Sequence, residues 1–197
     1  MCRIKFSKII DNKLVPCIGS GFFLEFHING IPFNKCLITN NHILDKKHIQ
    51  INKVIKLIYK NEEKNIKITK GRRTFTDAKL DYTGIEILNE DNINNFFKID
   101  ENIIENDPKI FADQDIFILQ FPKGNDLSFS SGKILKVNDW NMIHNCSTEE
   151  GSSGSPIISR DSDFSIIGLQ YGSYSNKKDR EIEIIQGMNV VLIYVQL

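Results

Sequence analysis

A short loop rich in serine and glycine is the segment of the sequence best suited to chemistry. It reads Glu150-Gly-Ser-Ser-Gly-Ser-Pro156 and is followed directly by two isoleucines. Glycine adopts backbone conformations closed to other residues, so Gly151 can make a tight turn and Gly154 can admit a neighbouring group. With Ser153 as a nucleophile, the N–H groups of Gly151 and Ser153 are placed to hold a developing oxyanion. A flexible loop, an anion-binding nest of backbone N–H groups and an ordinary hairpin turn remain open as alternatives.

A histidine follows an apolar run in the segment Cys36-Leu-Ile-Thr-Asn-Asn-His-Ile-Leu44. The pattern puts His42 at the end of a strand, at the start of what could be a single helical turn. Because imidazole titrates near neutral pH, His42 could act there as a general base. A lone histidine is more often an ordinary surface or core residue. The other three histidines, His27, His48 and His144, lack such a setting and are predicted to be structural.

An aspartate opens a strand-like pattern in the segment Lys79-Leu-Asp-Tyr-Thr-Gly-Ile-Glu-Ile-Leu88. Its carboxylate would lie at the mouth of the strand, where it could orient a neighbouring imidazole. An aspartate at this position usually serves a turn. The chain order His42, Asp81, Ser153 favours more than a turn, because base, orienting carboxylate and nucleophile form a known constellation.

The charges of the chain balance. Its 197 residues carry 25 basic and 25 acidic side chains, a formal net charge of zero. Proteins that bind nucleic acid or membrane surfaces usually show a basic excess or patch, so we predict neither partner. A hydrophobic content of 41% and 13 phenylalanines suffice for a packed core and exclude wholesale disorder. No apolar stretch approaches the roughly 18 residues that a membrane helix needs.

The four cysteines, Cys2, Cys17, Cys36 and Cys146, are scattered along the chain. They lack the close pairing of metal sites and are interpreted as reduced thiols. The N-terminus also lacks the continuous apolar segment of a secretory signal, so we predict a cytoplasmic protein. A zinc site that joins His144 and Cys146 to a third cysteine has no supporting spacing. We therefore predict neither a metal nor a cofactor.

β-Branched and aromatic residues dominate a series of short runs, and such residues favour strands. Turn residues separate the runs, and we find no amphipathic segment long enough for the helix of a βαβ unit. The sequence therefore predicts an all-β barrel or sandwich. The predicted strands are Arg3–Ile10, Gly21–Ile28, Lys35–Thr39, Ile49–Tyr59, Tyr82–Leu88, Asp115–Phe121, Leu127–Val137, Pro156–Ser159, Phe164–Tyr171 and Ile182–Ile185.

The stretch Asn89–Lys109 is rich in Asn, Glu and Asp and is typical of a connector between two halves. Part of it, Ile93–Ile104, is a candidate helix. The alternative is a surface loop within a single barrel. The last segment, Val190–Leu197, is compatible with either a strand or a short closing helix.

With these motifs in this order, the chain resembles a trypsin-like (chymotrypsin-fold) serine peptidase. It is similar to compact branches without disulfides, such as glutamyl endopeptidases and microbial trypsin-like domains. The resemblance extends from about Gly19 to Gly172. Its segments are a glycine-rich strand (Gly19–Phe23), a histidine box (Leu37–His42), an aspartate strand (Leu80–Thr83), a serine loop (Gly151–Pro156) and two flanking strands (Ile116–Pro122 and Ile166–Gly172).

The resemblance implies two six-stranded antiparallel β-barrels of the chymotrypsin type, with the active site in the cleft between them. Residues 1–98 would form the N-terminal barrel with His42 and Asp81, and residues 99–197 the C-terminal barrel with Ser153. The implied activity is that of a serine endopeptidase, which hydrolyses protein or peptide substrates through a Ser-His-Asp triad and an acyl-enzyme. The alternative is a catalytically inactive relative that acts as a protein-binding module.

By similarity to the family, Ser147, Thr148 and Gln170 would line the substrate pocket. A trypsin-type preference for Arg or Lys depends on an aspartate where this chain has Ser147. Glutamyl endopeptidases carry a histidine where this chain has Gln170. Glu149 and Glu150 near the pocket mouth would repel an acidic side chain. We therefore predict a neutral or apolar substrate residue before the cleaved bond.

Two positions depart from the family pattern. Secreted relatives usually carry a cysteine directly after the histidine, where this chain has Ile43, which agrees with a reducing compartment. Relatives activated by cleavage carry an aspartate just before the nucleophile, where this chain has Ser152. The resemblance therefore does not imply zymogen activation through that ion pair.

Overall fold

β-Strands are the main elements of the computed structural model, which describes residues 1–26, 34–100, 102–105, 107–138, 141–160, 163–174 and 184–188. The first sheet contains β1 (Cys2–Ile10), β2 (Lys13–Glu25), β3 (Lys35–Thr39), β4 (Val54–Tyr59), β5 (Glu62–Lys67), β6 (Thr74–Asp77), β7 (Tyr82–Glu86) and β8 (Phe97–Lys98). Its antiparallel order is β5-β4-β1-β2-β3-β7-β6, and β8 pairs with β2 in parallel.

The second half is a closed antiparallel barrel. It contains β9 (Asp115–Gln120), β10 (Ser128–Asn138), β11 (Asn141–His144), β12 (Pro156–Ser159), β13 (Ile166–Tyr174) and β14 (Ile184–Met188). The strand order is β10-β11-β14-β13-β12-β9, and β9 pairs with β10 to close the barrel. Between the two halves lies the short helix α1 (Asn102–Glu105), and single 3-10 turns occur at Asn89–Asp91, Pro108–Phe111 and Pro122–Gly124.

Strand β2 changes its partner after its ninth residue. Its residues up to Gly21 pair with β1, and those from Phe22 onward pair with β3. The side chains of a strand alternate between its faces, so successive residues reach different cores. Phe23 packs in the interior of the first sheet, whereas Phe22 and Leu24 pack in a second apolar cluster. All three are fully buried.

This second cluster is an apolar layer that joins the first sheet to the closed barrel. The first sheet contributes Phe22, Leu24, Cys36, Ile38 and Tyr82, and the barrel contributes Ile158, Ile166 and Leu169. Three strands that contribute to the layer lead to or from a predicted site residue: β3 leads to His42, β7 follows Asp81 and β12 follows the loop of Ser153. The same layer that joins the halves therefore fixes the ends of these strands.

The predicted all-β architecture of two curled antiparallel sheets is confirmed. The first sheet has eight strands rather than the predicted six, and one pair is parallel. In the parallel pair, the ring of Phe97 in β8 lies edge-on to that of Phe22 in β2, at 6.3 Å between centroids. The candidate helix Ile93–Ile104 is helical only at its end, because β8 occupies Phe97–Lys98 and α1 begins at Asn102. The predicted segment Val190–Leu197 lies outside the described residues, and the division of the chain at residue 98 stays a prediction.

The thiols offer a test of this packing. Burial raises the pKa of Cys2 to about 12 and that of Cys146 to about 11, and it raises the pKa of Cys36 further. Because the thiolate is the reactive form, these three cysteines should react slowly with iodoacetamide in the native protein, and only the half-exposed Cys17 should react fast. Mass spectrometry of alkylated protein measures this. In the Cys17→Ser variant, fast labelling of any remaining cysteine would contradict the burial of Cys2, Cys36 and Cys146.

Candidate active site

His42 and Asp81 form a two-point contact. Asp81 Oδ2 lies 2.6 Å from His42 Nδ1, and Asp81 Oδ1 accepts a hydrogen bond of 2.8 Å from the backbone N–H of His42. An ionised carboxylate only accepts hydrogen bonds, so Nδ1 carries the proton and Nε2 keeps its lone pair. The imidazole side chain remains 36% exposed. This arrangement holds the tautomer whose Nε2 can accept a proton, on a partly exposed side chain.

A single helical turn after β3 presents the histidine. The carbonyl of Asn40 accepts hydrogen bonds from Ile43 N–H (3.2 Å) and Leu44 N–H (3.1 Å). Ile43 and Leu44 are buried and anchor the turn. Between these anchors and the strand, His42 is left exposed.

The turn before β7 positions the aspartate. Asp81 has a φ of 51°, in the left-handed region that Asp tolerates better than most residues. The side chain of Asp77 accepts hydrogen bonds from Lys79 N–H and Leu80 N–H, each 2.8 Å long. Asn40 Nδ2 donates to the carbonyl of Asp81 at 2.9 Å. Asn40 therefore supports both members of the pair.

The serine loop is shaped by two glycines in the left-handed region. Gly151 has a φ of 90° and Gly154 a φ of 85°. Gly154 N–H donates to Gln170 O at 2.8 Å, and Gln170 N–H donates to Ser155 O at 2.9 Å. These bonds fasten the loop to β13. Ser153 itself is half-buried, between buried neighbours on both sides.

A buried serine of β2 connects this loop to the first sheet. Ser20 N–H donates to Ser153 O at 2.8 Å, and Ser20 Oγ donates to Gly151 O at 2.8 Å. Thr39 Oγ1 donates in turn to Ser20 O at 2.8 Å. Since Thr39 is the last residue of β3, the serine loop and the His42 turn are attached to the same part of the sheet.

The carbonyls of Gly151 and Ser153 are both engaged by Ser20, whereas their N–H groups are not. Within the described part of the chain, neither N–H donates a hydrogen bond to a protein group. Two neighbouring free donors can bind an anionic oxygen. Among the same residues, no hydrogen bond joins Ser153 Oγ to the His42 ring. Such contacts are often loose before substrate binds.

The predicted pocket residues differ in exposure and in their hydrogen-bond partners. Gln170 is buried, with Oε1 2.8 Å from His144 Nε2 and Nε2 donating to Gly172 O at 3.0 Å. Ser147 is exposed and Thr148 half-buried, and the carbonyl of Ser147 accepts a hydrogen bond from Gln120 at 3.1 Å.

His144, which was predicted to be structural, lies beside the predicted pocket residue Gln170. It is fully buried, and its Nδ1 accepts a hydrogen bond from Cys146 N–H at 3.2 Å. The tautomer therefore carries its proton on Nε2 and donates it to Gln170 Oε1. Burial lowers the pKa of His144, and the hydrogen bond with Gln170 offsets part of that effect. Its alternation with Met142 and Cys146, which are also buried, was the available signal for burial.

Neither a metal cluster nor a membrane-spanning helix is found in the described residues. No group of three His, Cys, Asp or Glu side chains there could hold a metal ion. The helices described are too short or too polar to cross a bilayer.

The profile of the trypsin-like peptidase domain matches residues 19–169, which is more than half of the chain. The chain therefore belongs to the trypsin-like peptidase family. Membership supports peptidase activity on protein or peptide substrates.

Two solved structures share the fold. The Rv3671c protease in its inactive form superposes with a TM-score of 0.62 at 12% identity, over 96% of this chain and 83% of that one. The serine endoprotease from Yersinia pestis superposes with a TM-score of 0.63 at 12% identity, over 98% of this chain. This chain spans only 59% of the Yersinia protein chain. No curated protein sequence matches this chain.

The close contact at Gly154 predicts a strong effect of a small substitution. A Cβ atom at this position would lie 1.9 Å from Ser20 O and 2.7 Å from Thr39 Oγ1, at a φ unfavourable for any side chain. Gly154→Ala should lower the free energy of unfolding by about 1–3 kcal/mol, measured by urea denaturation. Gly71→Ala is the matched control, because nothing lies within 4 Å of the added carbon. Equal free energies of unfolding for the two variants would contradict the close packing of Gly154 against Ser20 and Thr39.

The buried His144 predicts a pH dependence of stability. Since its pKa is lowered in the folded state, the unfolded chain takes up the proton first as the pH falls below about 6.5. Stability is therefore retained above that pH and lost on acidification. The difference in free energy of unfolding between pH 7.5 and pH 5.5 should be smaller in His144→Gln. An unchanged difference would show that His144 does not carry this dependence.

Proposed function

We propose that the protein is a serine endopeptidase in which Ser153 is the nucleophile, His42 the general base and Asp81 the residue that orients it. The observation that carries the proposal is the two-point contact between Asp81 and His42, which places the proton on Nδ1 and leaves the lone pair of Nε2 to accept another. Through Ser20 and Thr39, the serine loop is attached to β3, the strand that ends just before His42.

The reaction would proceed by acyl transfer. Ser153 Oγ attacks the peptide carbonyl while His42 Nε2 accepts its proton, and Asp81 stabilises the imidazolium that forms. The free N–H groups of Gly151 and Ser153 would hold the oxyanion. His42 then protonates the leaving amine, and a water molecule repeats the sequence to release the acid.

The substrate residue before the cleaved bond would lie against Ser147, Thr148 and Gln170. Both polar groups of the Gln170 side chain are engaged by protein partners, and no charged side chain is among these three residues. The exposed Glu149 and Glu150 follow directly in the chain, and Glu149 pairs with Lys123 at 3.3 Å. We therefore expect a neutral or apolar side chain in this pocket.

Labelling with a fluorophosphonate probe tests the proposal, because such probes react only with activated serines. The unmodified protein should be labelled, and Ser153→Ala and His42→Ala should lose the signal. Ser131→Ala is the matched control, since Ser131 is an exposed serine of β10 remote from the loop in sequence. Circular dichroism checks that each variant is folded.

Absence of labelling in the folded, unmodified protein between pH 6 and pH 9 would contradict the peptidase. It would favour the catalytically inactive, protein-binding alternative. Labelling that survives in Ser153→Ala would assign the nucleophile to another residue.

Asp81→Asn tests whether the carboxylate of Asp81 is needed to hold the His42 ring in its reactive tautomer. The amide can still contact His42, but it favours the wrong tautomer, so turnover should fall by about 10⁴-fold. The rate of peptide cleavage measures this, with far-UV circular dichroism as the check on folding. A loss of less than tenfold would contradict the orienting role of the carboxylate.

A further inference from the structure

A groove of about 620 Å³ lies beside His42 on the first sheet. Its walls come from β1, from the start of β2, from the turn that follows β3 and from the entry into β4. None of its lining residues comes from the closed barrel. The predicted pocket residues Ser147, Thr148 and Gln170 all belong to the barrel half. The groove and the predicted pocket are therefore formed by different halves of the molecule.

The groove is strongly basic. Lys5, Lys8, Lys47 and Lys53 line it, and all four are exposed. Lys5 pairs with Glu63, whereas no ion pair in the described part of the chain involves the other three lysines.

One acidic side chain, Asp45, is among the lining residues. Its carboxylate is already engaged, with Oδ1 2.7 Å from His48 Nδ1 and accepting a hydrogen bond of 2.8 Å from Lys47 N–H. This single carboxylate does not balance the four lysines that line the groove with it. In a chain with no net charge, this is a local excess of positive charge.

Apolar side chains line the groove between the lysines. Leu14 is 72% exposed and Val54 46% exposed, and Phe6 is half-buried next to them. Large apolar side chains at the surface of a concave, charged site are suited to contact a ligand. A peptide with acidic and apolar residues matches both features.

The position of the groove indicates which part of a peptide would occupy it. In the proposed reaction His42 protonates the amine of the leaving segment, so that segment departs past the imidazole. The part before the cleaved bond would occupy the pocket in the barrel half. Because His42 lines the groove, the leaving segment would extend into it.

We propose that this groove binds the substrate segment that follows the cleaved bond and selects segments with acidic side chains. The inference rests on the proposed function and extends it to a substrate class. Exposed ion pairs are individually weak, so each of Lys8, Lys47 and Lys53 should change the selection about two- to fivefold. The effect should shrink as salt screens the charges.

Cleavage of a synthetic peptide mixture, with every residue type equally frequent at each position, tests this. Mass spectrometry of the products reads the residues on both sides of each cleaved bond. We expect Asp and Glu to exceed Lys and Arg by about tenfold over the three positions after the bond, and less in 0.5 M NaCl. The variant Lys8→Gln, Lys47→Gln, Lys53→Gln should lose most of this ratio.

A matched control replaces three exposed lysines outside the groove: Lys67→Gln, Lys98→Gln, Lys136→Gln. It removes the same total charge and should keep the ratio. Fluorophosphonate labelling of the unmodified protein is measured in parallel. Cleavage without acidic preference, or a ratio equally reduced in both triple variants, overturns the groove proposal alone. Absence of both labelling and cleavage overturns the proposed function and this inference with it.

Discussion

The arrangement of the site depends on one buried residue of β2, Ser20. Ser20 uses its backbone N–H and its hydroxyl to bind two carbonyls of the serine loop, and its own carbonyl accepts a hydrogen bond from Thr39. Buried polar groups without partners are costly, so each of these bonds supports the others. Within the described residues, the N–H groups of Gly151 and Ser153 have no protein acceptor. Ser20 thus fixes the serine loop through its carbonyls, and the two N–H groups remain available to a ligand.

The strands that could be predicted from the sequence are those formed by short runs of apolar residues. Strands β3 and β12 begin and end at the predicted residues, because both are short apolar runs bounded by polar turns. Strands β5, β6, β8 and β11 were missed. EEKNIK is almost entirely polar, and TFTD, FK and NMIH are only two to four residues long. These strands depend on pairing with a neighbour rather than on their own composition.

The candidate site was predicted from three residue types in a known chain order: His42, Asp81 and Ser153. His42 and Asp81 are brought together by elements that could be identified, namely the ends of β3 and the start of β7. The roles of Ser153 and of the pocket residues stay predictions. The parts that could not be anticipated are long-range contacts between residues of ordinary type: Ser20 with the serine loop, Asn40 with Asp81, and His144 with Gln170. A hydrogen bond between distant polar residues leaves no periodic signal.

A zero net charge proved to be a poor description of the surface. Acidic and basic side chains are equal in number, but the groove beside His42 concentrates lysines while Glu149 and Glu150 adjoin the predicted pocket. Local potentials depend on where charges lie and not on their sum. A formal net charge of zero is therefore compatible with a basic groove on one face of the molecule.

The alternation along β2 has a consequence for how the molecule is built. Phe23 fills the interior of one half, and its neighbours Phe22 and Leu24 fill the layer against the other. A shift of this strand by a single position would exchange the two sets and disrupt both packings at once. β2 is a strand of the first sheet alone, yet its Phe22 and Leu24 also cover Ile158, Ile166 and Leu169 of the barrel. Removing this strand would therefore expose apolar residues of both halves.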